Sequence, residues 1–135
     1  MKKTRYIIID DDQTSIELTK QSITNSFENA VISTFENAKD ALSFLATDFT
    51  NDISYNAIIL LDLDMPVMNG WNFLDHYDKL NDKIKGRMKI IIVSGYDNVE
   101  NRKRAYQNRY VSEFIAKTDL YKNLYFRLSK HLNAA

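Results

Sequence analysis

Polar side chains that could bind a metal and a phosphoryl group follow four short apolar runs of this chain. They are an acidic pair, two carboxylates two residues apart, a serine and a lysine: Asp10 and Asp11, Asp62 and Asp64, Ser94, and Lys117. Carboxylate oxygens are ligands for hard cations such as Mg²⁺, and a hydroxyl and an ammonium can bind phosphoryl oxygens. Together these groups could support metal-assisted transfer of a phosphoryl group to a carboxylate.

The apolar runs that precede these residues have the pattern of strands buried on both faces. They are short, rich in β-branched residues and bounded by polar residues, and they span residues 6–9, 57–61, 90–93 and 114–116. If the strands are parallel, their carboxyl ends lie at one edge of the sheet, where open α/β sheets bind ligands. We therefore expect the polar residues to converge on one pocket.

Length and composition favour one small domain that binds metal through oxygen. The 135 residues suffice for a single core, and we expect one domain over residues 1–135 with no effector domain. The absence of cysteine excludes disulfides, thiol nucleophiles and thiolate metal sites. The two histidines, His76 and His131, are far apart in the sequence, which argues against a histidine zinc site. A bound metal is therefore expected to be Mg²⁺, Ca²⁺ or Mn²⁺.

No segment has the length of a membrane span or of the apolar region of a signal peptide. The basic start of the chain leads into an apolar run that covers only residues 6–9 before Asp10. These features predict a cytoplasmic protein with no membrane partner.

Acidic and basic residues are unevenly distributed although the formal net charge is zero. Residues 6–84 are predominantly acidic, and residues 85–135 are predominantly basic. The pattern fits two oppositely charged solvated faces, and it also fits a basic docking surface around residues 102–104 and Arg109. Nucleic acid is not expected as a partner because no stacking aromatics are interleaved with these bases.

Strands and helices alternate five times along the chain. Thr14 and Glu17 have the spacing of a capping box, which predicts a first helix from Thr14 to Phe27. A second strand is predicted over residues 30–35. Asn37 is then expected to cap a helix with one apolar face: Ala38, Ala41, Leu42 and Leu45. The polar stretch 47–56 is predicted to be a loop.

The second half of the chain continues the alternation. Pro66 and Gly70 break the chain before a helix predicted over residues 71–80. A basic helix capped by Asp97 is expected to end near Asn108, and a weaker fifth strand follows over residues 111–116. Asp119 is expected to cap a last helix with an apolar inner face: Tyr121, Leu124, Leu128 and Leu132. This alternation predicts an α/β fold with a parallel sheet and helices on both faces.

The ordered set of motifs resembles the CheY-like receiver domain of two-component response regulators. The set comprises Asp10-Asp11, the run DLDMPVMNG over residues 62–70, Ser94-Gly95 and Lys117. The D-x-x-M-P-x-M-x-G pattern is its most specific part, and the resemblance covers essentially the whole chain. It implies a flavodoxin-like doubly wound sheet of five parallel strands, (βα)5, in the order 2-1-3-4-5.

The resemblance also implies a signalling function. Asp62 would accept a phosphoryl group from a histidine of a sensor histidine kinase or of a histidine phosphotransfer protein. The protein would be a stand-alone phosphorelay switch that catalyses only its own phosphorylation and dephosphorylation, and it would not be an enzyme on other substrates. As a monomer or weak dimer, it would signal to a downstream protein through the face formed by helix 4, strand 5 and helix 5.

The roles in the pocket follow from this resemblance residue by residue. Mg²⁺ would be bound by Asp11 and Asp62, by the backbone carbonyl of Asp64, and through water by Asp10. Lys117 would pair with Asp62 and then with a phosphoryl oxygen, and the remaining oxygens would bind backbone N–H groups and the hydroxyl of Ser94. The three consecutive acids at 10–12 leave the register open, and the first pair is favoured because it follows the strand directly.

Three further positions affect how such a switch would work. Phe114 stands where the family has its switch aromatic, and it either turns inward when Ser94 moves or is simply a core strand residue. Thr118 stands where the family usually has a proline after the lysine, which leaves the loop conformation open. Asp64 adds a charge where the family often has an uncharged polar residue, and this charge is expected to affect metal affinity or phosphoryl lifetime.

Two other classes of protein use similar residues. The sequence Asp62-Leu63-Asp64 also resembles the D-x-D of haloacid-dehalogenase-type phosphatases, but in that family D-x-D ends the first strand and the further acidic pair comes last. A pseudo-receiver, which is an interaction module that never gains phosphate, usually lacks an acidic-pocket residue, and none is lacking here. Turnover of p-nitrophenyl phosphate would indicate the phosphatase, and we expect almost none.

Overall fold

A parallel sheet forms the centre of the protein. The computed structural model describes residues 2–95 and 97–132. The five strands, in the order β2-β1-β3-β4-β5, are all parallel to their neighbours. They are β1 (Lys3–Ile9), β2 (Val31–Phe35), β3 (Tyr55–Asp62), β4 (Met88–Ser94) and β5 (Val111–Ala116). The predicted flavodoxin-like fold and its strand order are confirmed.

Six α-helices lie along the described part of the chain. They are α1 (Gln13–Ser26), α2 (Ala38–Phe44), α3 (Gly70–Tyr77), α4 (Asp82–Lys85), α5 (Val99–Gln107) and α6 (Lys117–Ser129). Because the short α4 was not predicted, the expected helix 4, strand 5 and helix 5 are α5, β5 and α6 here. No described helix is long and apolar enough to cross a membrane.

Two apolar cores form because neighbouring strand residues point to opposite faces of the sheet. Ile7 and Ile9 pack in the core beneath α2, α3 and α5, whereas Tyr6 and Ile8 pack in the core beneath α1 and α6. Both faces of the central strands are therefore covered, as the unbroken apolar runs of the sequence predicted.

The first helix begins earlier than predicted. Asp12 is its cap, and the Asp12 carboxylate accepts from the backbone N–H of Ser15 at 3.3 Å. The capping box predicted from Thr14 and Glu17 is therefore wrong, because the helix starts at Gln13, directly after the acidic residues. The predicted Asn37 cap of α2 is confirmed, with its side chain accepting from Asp40 N.

Two further predicted caps are also wrong. Asn98 rather than Asp97 caps α5, and Asp97 instead pairs with Arg102 of the same helix. The helix α6 starts at Lys117, immediately after β5, and it has no side-chain cap. Asp119 therefore lies inside the first turn, where its carboxylate accepts a hydrogen bond from Asn123 at 2.7 Å.

The predicted loop over residues 47–56 is wrong in its first half. The chain continues beyond α2 as a π-helical turn, Leu45–Phe49, and β3 begins at Tyr55. The buried ring of Phe49 explains the extension, because it packs in the core and lies 4.1 Å from the Arg87 guanidinium. Arg87 also donates to the backbone carbonyl of Phe49 at 3.0 Å, which ties this turn to the start of β4.

Candidate functional site

The carboxyl ends of β1, β3, β4 and β5 bring the predicted polar residues to one edge of the sheet. Asp62 is the last residue of β3 and pairs in register with Val93, the residue before Ser94. Ser94 is the last residue of β4 and pairs with Ala116, the residue before Lys117. The sheet register therefore places the acidic residues, the serine and the lysine around one pocket, as the sequence predicted.

Three carboxylates of this pocket form a compact cluster. Oxygens of Asp10, Asp11 and Asp62 all lie within 4.8 Å of one another. Asp10 and Asp62 are each 5% exposed, whereas Asp11 is exposed to solvent. A set made only of carboxylate oxygens, open to water on one side, fits a hard octahedral cation such as Mg²⁺.

The carboxylate of Asp12 serves a different purpose. It accepts from the hydroxyl of Ser15 at 2.7 Å and caps α1, while the Asp12 backbone N–H donates to Asp10 Oδ1 at 2.9 Å. Asp12 is not part of the carboxylate cluster. The structure thus brings together the first two acids of the triplet and uses the third for the helix.

Lys117 lies among the carboxylates of the cluster. Its Nζ is 2.8 Å from Asp10 Oδ2 and 3.7 Å from Asp62 Oδ1. Burial alone would lower the pKa of Lys117, but the hydrogen bond to Asp10 and the attraction of Asp10 and Asp62 raise it above its usual value. Lys117 is therefore a fixed positive charge in this pocket, and Asp10 is its nearer partner.

Asp62 is protonated more easily than an ordinary aspartate. Burial raises its pKa to about 7, and repulsion from Asp10 acts in the same direction. Lys117 and a hydrogen bond from the backbone N–H of Asp64 oppose this shift, while the Asp64 carboxylate, which is exposed, adds to it. A cation between the carboxylates would remove part of this repulsion and favour the ionised form of Asp62.

The turn after β3 approaches the backbone of Asp62 closely. The Gly70 N–H donates to Leu63 O at 3.0 Å, and a Cβ at Gly70 would lie only 2.7 Å from the backbone oxygen of Asp62. Within the turn, Val67 has a φ of 68°, and Met68 N–H donates to Pro66 O at 2.8 Å. Glycine is therefore required at position 70 to let α3 start beside the acidic cluster.

Phe114 is buried, with 3% of its surface exposed. The Arg102 guanidinium covers its ring at 5.1 Å from the centroid, and its backbone N–H donates to the hydroxyl of Tyr106 at 3.2 Å. The ring of Phe114 is thus part of the core in this structure, and its role as a switch stays a prediction. Ser94 is also buried, with 1% of its surface exposed.

Three contacts around Lys117 and Phe114 were not identified from the sequence. Ser15 contacts Lys117, Arg102 lies over the ring of Phe114, and the Tyr106 hydroxyl accepts from the Phe114 backbone N–H. The sequence offered one signal for Ser15, because a serine three residues after an aspartate has the spacing of a helix cap. Thr118, the other open position, lies in the first turn of α6, and the described residues contain no cis peptide bond.

Comparison with known proteins agrees with this geometry. A family model described as the response regulator receiver domain matches residues 6–125. No curated protein matches the chain.

Solved structures show the same fold. A response regulator receiver protein from Dyadobacter fermentans is 23% identical, with a TM-score of 0.82 over 95% of this chain and 97% of the other. The phosphorylated cyanobacterial phytochrome response regulator RcpA is 20% identical, with a TM-score of 0.78 over 97% and 95%. The Mn²⁺-bound form of response regulator Rcp1 is 20% identical, with a TM-score of 0.76 over 97% and 96%. Because the family model covers nearly the whole chain, the protein belongs to the response regulator receiver domain family.

Proposed function

We propose that this protein is a phospho-receiver that accepts a phosphoryl group on Asp62 with Mg²⁺ bound beside it. One observation carries the proposal: the buried Asp62 carboxylate lies within 4.8 Å of two other carboxylates and 3.7 Å from the ammonium of Lys117. Receiver domains are signalling domains, and two similar structures are the phosphorylated response regulator RcpA and the Mn²⁺-bound response regulator Rcp1.

The side chains of this pocket fit in-line attack on a phosphorylated histidine. An Asp62 oxygen forms the new bond to phosphorus, and the bond between phosphorus and the histidine nitrogen of the partner breaks, which returns the electron pair to the imidazole. When bound, Mg²⁺ would neutralise phosphoryl oxygens, held by Asp11, Asp62, the Asp64 carbonyl and, through water, Asp10. Lys117 would bind one further oxygen, and Ser94 another, so that the charge of the transferring group is balanced.

Phosphorylation of Asp62 is tested by mass spectrometry after incubation with acetyl phosphate and Mg²⁺. We expect the intact protein to gain the mass of one phosphoryl group and Asp62→Asn to gain none, because the amide cannot act as the nucleophile. Circular dichroism serves as the control that Asp62→Asn is folded. Acid-labile phosphate retained in this variant would contradict the assignment.

Mg²⁺ is expected to raise the melting temperature of the protein, because it binds the clustered carboxylates of the folded state only. At an Mg²⁺ concentration about tenfold above Kd, the free energy of unfolding rises by about 1.4 kcal/mol, which raises the melting temperature by about 3–6 °C. Asp11→Ala should lose most of this shift. The matched variant Asp12→Asn should keep it, because the Asp12 side chain lies in the helix cap. Loss of the shift in Asp12→Asn but not in Asp11→Ala would contradict the proposed ligands.

The proposed output surface is the face of α5, β5 and α6. Phosphorylation would draw Ser94 toward the phosphoryl group, and the packing change would pass along β4 to its neighbour β5. Because Phe114 is already buried, we expect the side chains that contact it to rearrange. These are Arg102, which lies above the ring, and Tyr106, whose hydroxyl accepts from the Phe114 backbone N–H.

NMR spectra with beryllofluoride, a phosphoryl mimic, test this route. We expect shifts in the amides of residues 94–117, including Arg102 and Phe114, and smaller shifts elsewhere outside the pocket. Asp62→Asn is the matched control, which should show no such shifts. Shifts confined to residues 10–12 and 62–70, with residues 102–115 unchanged, would mean that the protein signals through another surface.

The proposed partners are a histidine kinase or histidine phosphotransfer protein as the phosphoryl donor and a separate downstream protein as the receiver of the signal. The downstream contact is proposed at four basic residues of α5 and the following turn: Arg102, Lys103, Arg104 and Arg109. Their positive charge would favour an acidic segment of the partner. Since exposed charge pairs are screened within about 8–10 Å at physiological ionic strength, this association should weaken with added salt.

A further inference from the structure

The hydroxyl of Ser15 links Lys117 to the beginning of α1. It donates to Asp12 Oδ2 at 2.7 Å and accepts from Lys117 Nζ at 3.1 Å. Ser15 is buried, with 7% of its surface exposed, although it lies in the first turn of a helix. The contact joins residues 102 positions apart in the chain, so it belongs to the tertiary structure of the pocket.

The orientation of this hydroxyl is determined by its partners. A carboxylate only accepts and an ammonium only donates, so the Ser15 hydrogen must point to Asp12 and a lone pair to Lys117. The negative charge of Asp12 strengthens the hydroxyl as an acceptor. The Lys117 ammonium therefore has two short contacts on the α1 side, to Asp10 at 2.8 Å and to Ser15, and a third, longer approach to Asp62 at 3.7 Å.

We propose that Ser15 is a positioning residue that holds the ammonium of Lys117 so that one N–H is directed at Asp62 and its incoming phosphoryl group. The ammonium rotates freely about its last bond, and two fixed acceptors define where its third donor points. This inference rests on the proposed function, because it assigns Ser15 to the same phosphoryl-acceptor site.

Two features of the chain make this contact important. Lys117 is the first residue of α6, and its side chain leaves the helix to reach Asp10, Ser15 and Asp62. Ser15 contacts none of the three clustered carboxylates in the described structure. Its loss should therefore affect phosphoryl transfer while leaving Mg²⁺ binding intact.

The test compares phosphorylation rates with acetyl phosphate at saturating Mg²⁺ among variants of this chain. Ser15→Ala should slow phosphorylation of Asp62 by about tenfold, because misplacement of a catalytic group is costly in rate. Ser15→Thr, which keeps the hydroxyl, should restore the rate to within about twofold of the starting protein under the same positioning argument. Ser22→Ala is the matched control, since Ser22 lies on the same helix and its hydroxyl donates to the backbone oxygen of Leu18.

Two further readouts separate positioning from a merely structural role. The Mg²⁺ affinity of Ser15→Ala, measured from amide shifts, should equal that of the starting protein. Addition of Ser15→Ala to Lys117→Ala should cause no further loss, because the two residues act through one contact. A lower melting temperature with an unchanged rate, a loss of Mg²⁺ affinity, or additive losses in the double variant would each overturn the proposal.

Failure of the Ser15 proposal can be distinguished from failure of the proposed function. If the starting protein gains no phosphate, the proposed function itself fails. If the starting protein is phosphorylated and Ser15→Ala is phosphorylated equally fast, only the role of Ser15 fails.

Discussion

Asp62→Asn is expected to stabilise the metal-free protein by about 2–4 kcal/mol at pH 8, although it abolishes phosphorylation. Burial raises the pKa of Asp62 to about 7 in the folded protein, whereas the unfolded chain has the ordinary value of 3.8. Above pH 7 the folded state must therefore hold a buried carboxylate beside Asp10, at a cost that the unfolded chain does not bear. Asparagine has the same shape and carries no charge, so it removes this cost.

The effect has a defined pH dependence. Because the folded pKa of Asp62 is higher than the unfolded pKa, the destabilisation is fully present above pH 7 and decreases as the pH falls toward 3.8. The stability difference between Asp62→Asn and the starting protein should accordingly be largest at pH 8 and close to zero at pH 4.

Urea unfolding at several pH values in the presence of a chelator measures this difference. Asp75→Asn, which replaces an exposed carboxylate on α3, is a suitable control and should show no comparable gain. Addition of Mg²⁺ should reduce the advantage of Asp62→Asn, since the cation stabilises only the protein with the complete cluster. A stability gain of Asp62→Asn over the starting protein that is no larger at pH 8 than at pH 4 would show that the surroundings do not raise the pKa of Asp62.

Gly70→Ala is expected to destabilise the protein by about 1–3 kcal/mol and to slow phosphorylation. A Cβ at position 70 would lie 2.7 Å from Asp62 O and 2.9 Å from Leu63 Cα. Both of these atoms belong to the backbone, so the strand end and α3 must move apart. Such a movement displaces the carboxylate of Asp62 from Lys117 and from the other acids.

Gly86→Ala provides the matched control for this substitution. A Cβ at Gly86 would lie 3.5 Å from Asp82 O, an ordinary contact. Gly86 follows α4 and precedes the amino end of β4, whereas the acidic cluster lies at the carboxyl ends of the strands. Thermal unfolding and the acetyl phosphate rate should both change in Gly70→Ala and remain near the starting values in Gly86→Ala. An unchanged Gly70→Ala protein would mean that the turn can relax without moving Asp62.

The fold was predictable from the sequence because its signals are periodic and local. The apolar runs identify β1, β3 and β4 without ambiguity, and parallel strands then require the residues at their ends to meet. The positions of Asp10, Asp62, Ser94 and Lys117 at one sheet edge follow from this rule alone. The acidic cluster was thus predictable from the sequence.

The features that the sequence did not predict depend on contacts between distant segments. The π-helical turn at Leu45–Phe49 forms because Phe49 is buried against Arg87, and no local pattern encodes that packing. The caps of α1 and α5 were placed incorrectly because nearby residues are comparably good caps, and local spacing alone does not decide between them.

The contacts of Lys117 illustrate the same limit. Its position in the pocket was predicted, but the nearer carboxylate is Asp10, at 2.8 Å, and its hydroxyl partner Ser15 comes from the other end of the chain. The hydrogen bond between Tyr106 and the backbone N–H of Phe114 likewise joins a helix to an edge strand. Such pairs are set by the tertiary structure and have no spacing rule in the sequence.

Reductive mapping of the phosphorylated protein tests the central claim most directly. Borohydride reduces an aspartyl phosphate to homoserine, which marks the acceptor in the unmutated chain and can be located by peptide mass spectrometry. After treatment with acetyl phosphate and Mg²⁺, we predict homoserine at position 62 and at no other aspartate. Homoserine at position 10, 11 or 12, or none in a protein that has gained phosphate, would contradict the assignment of Asp62 as the phosphoryl acceptor.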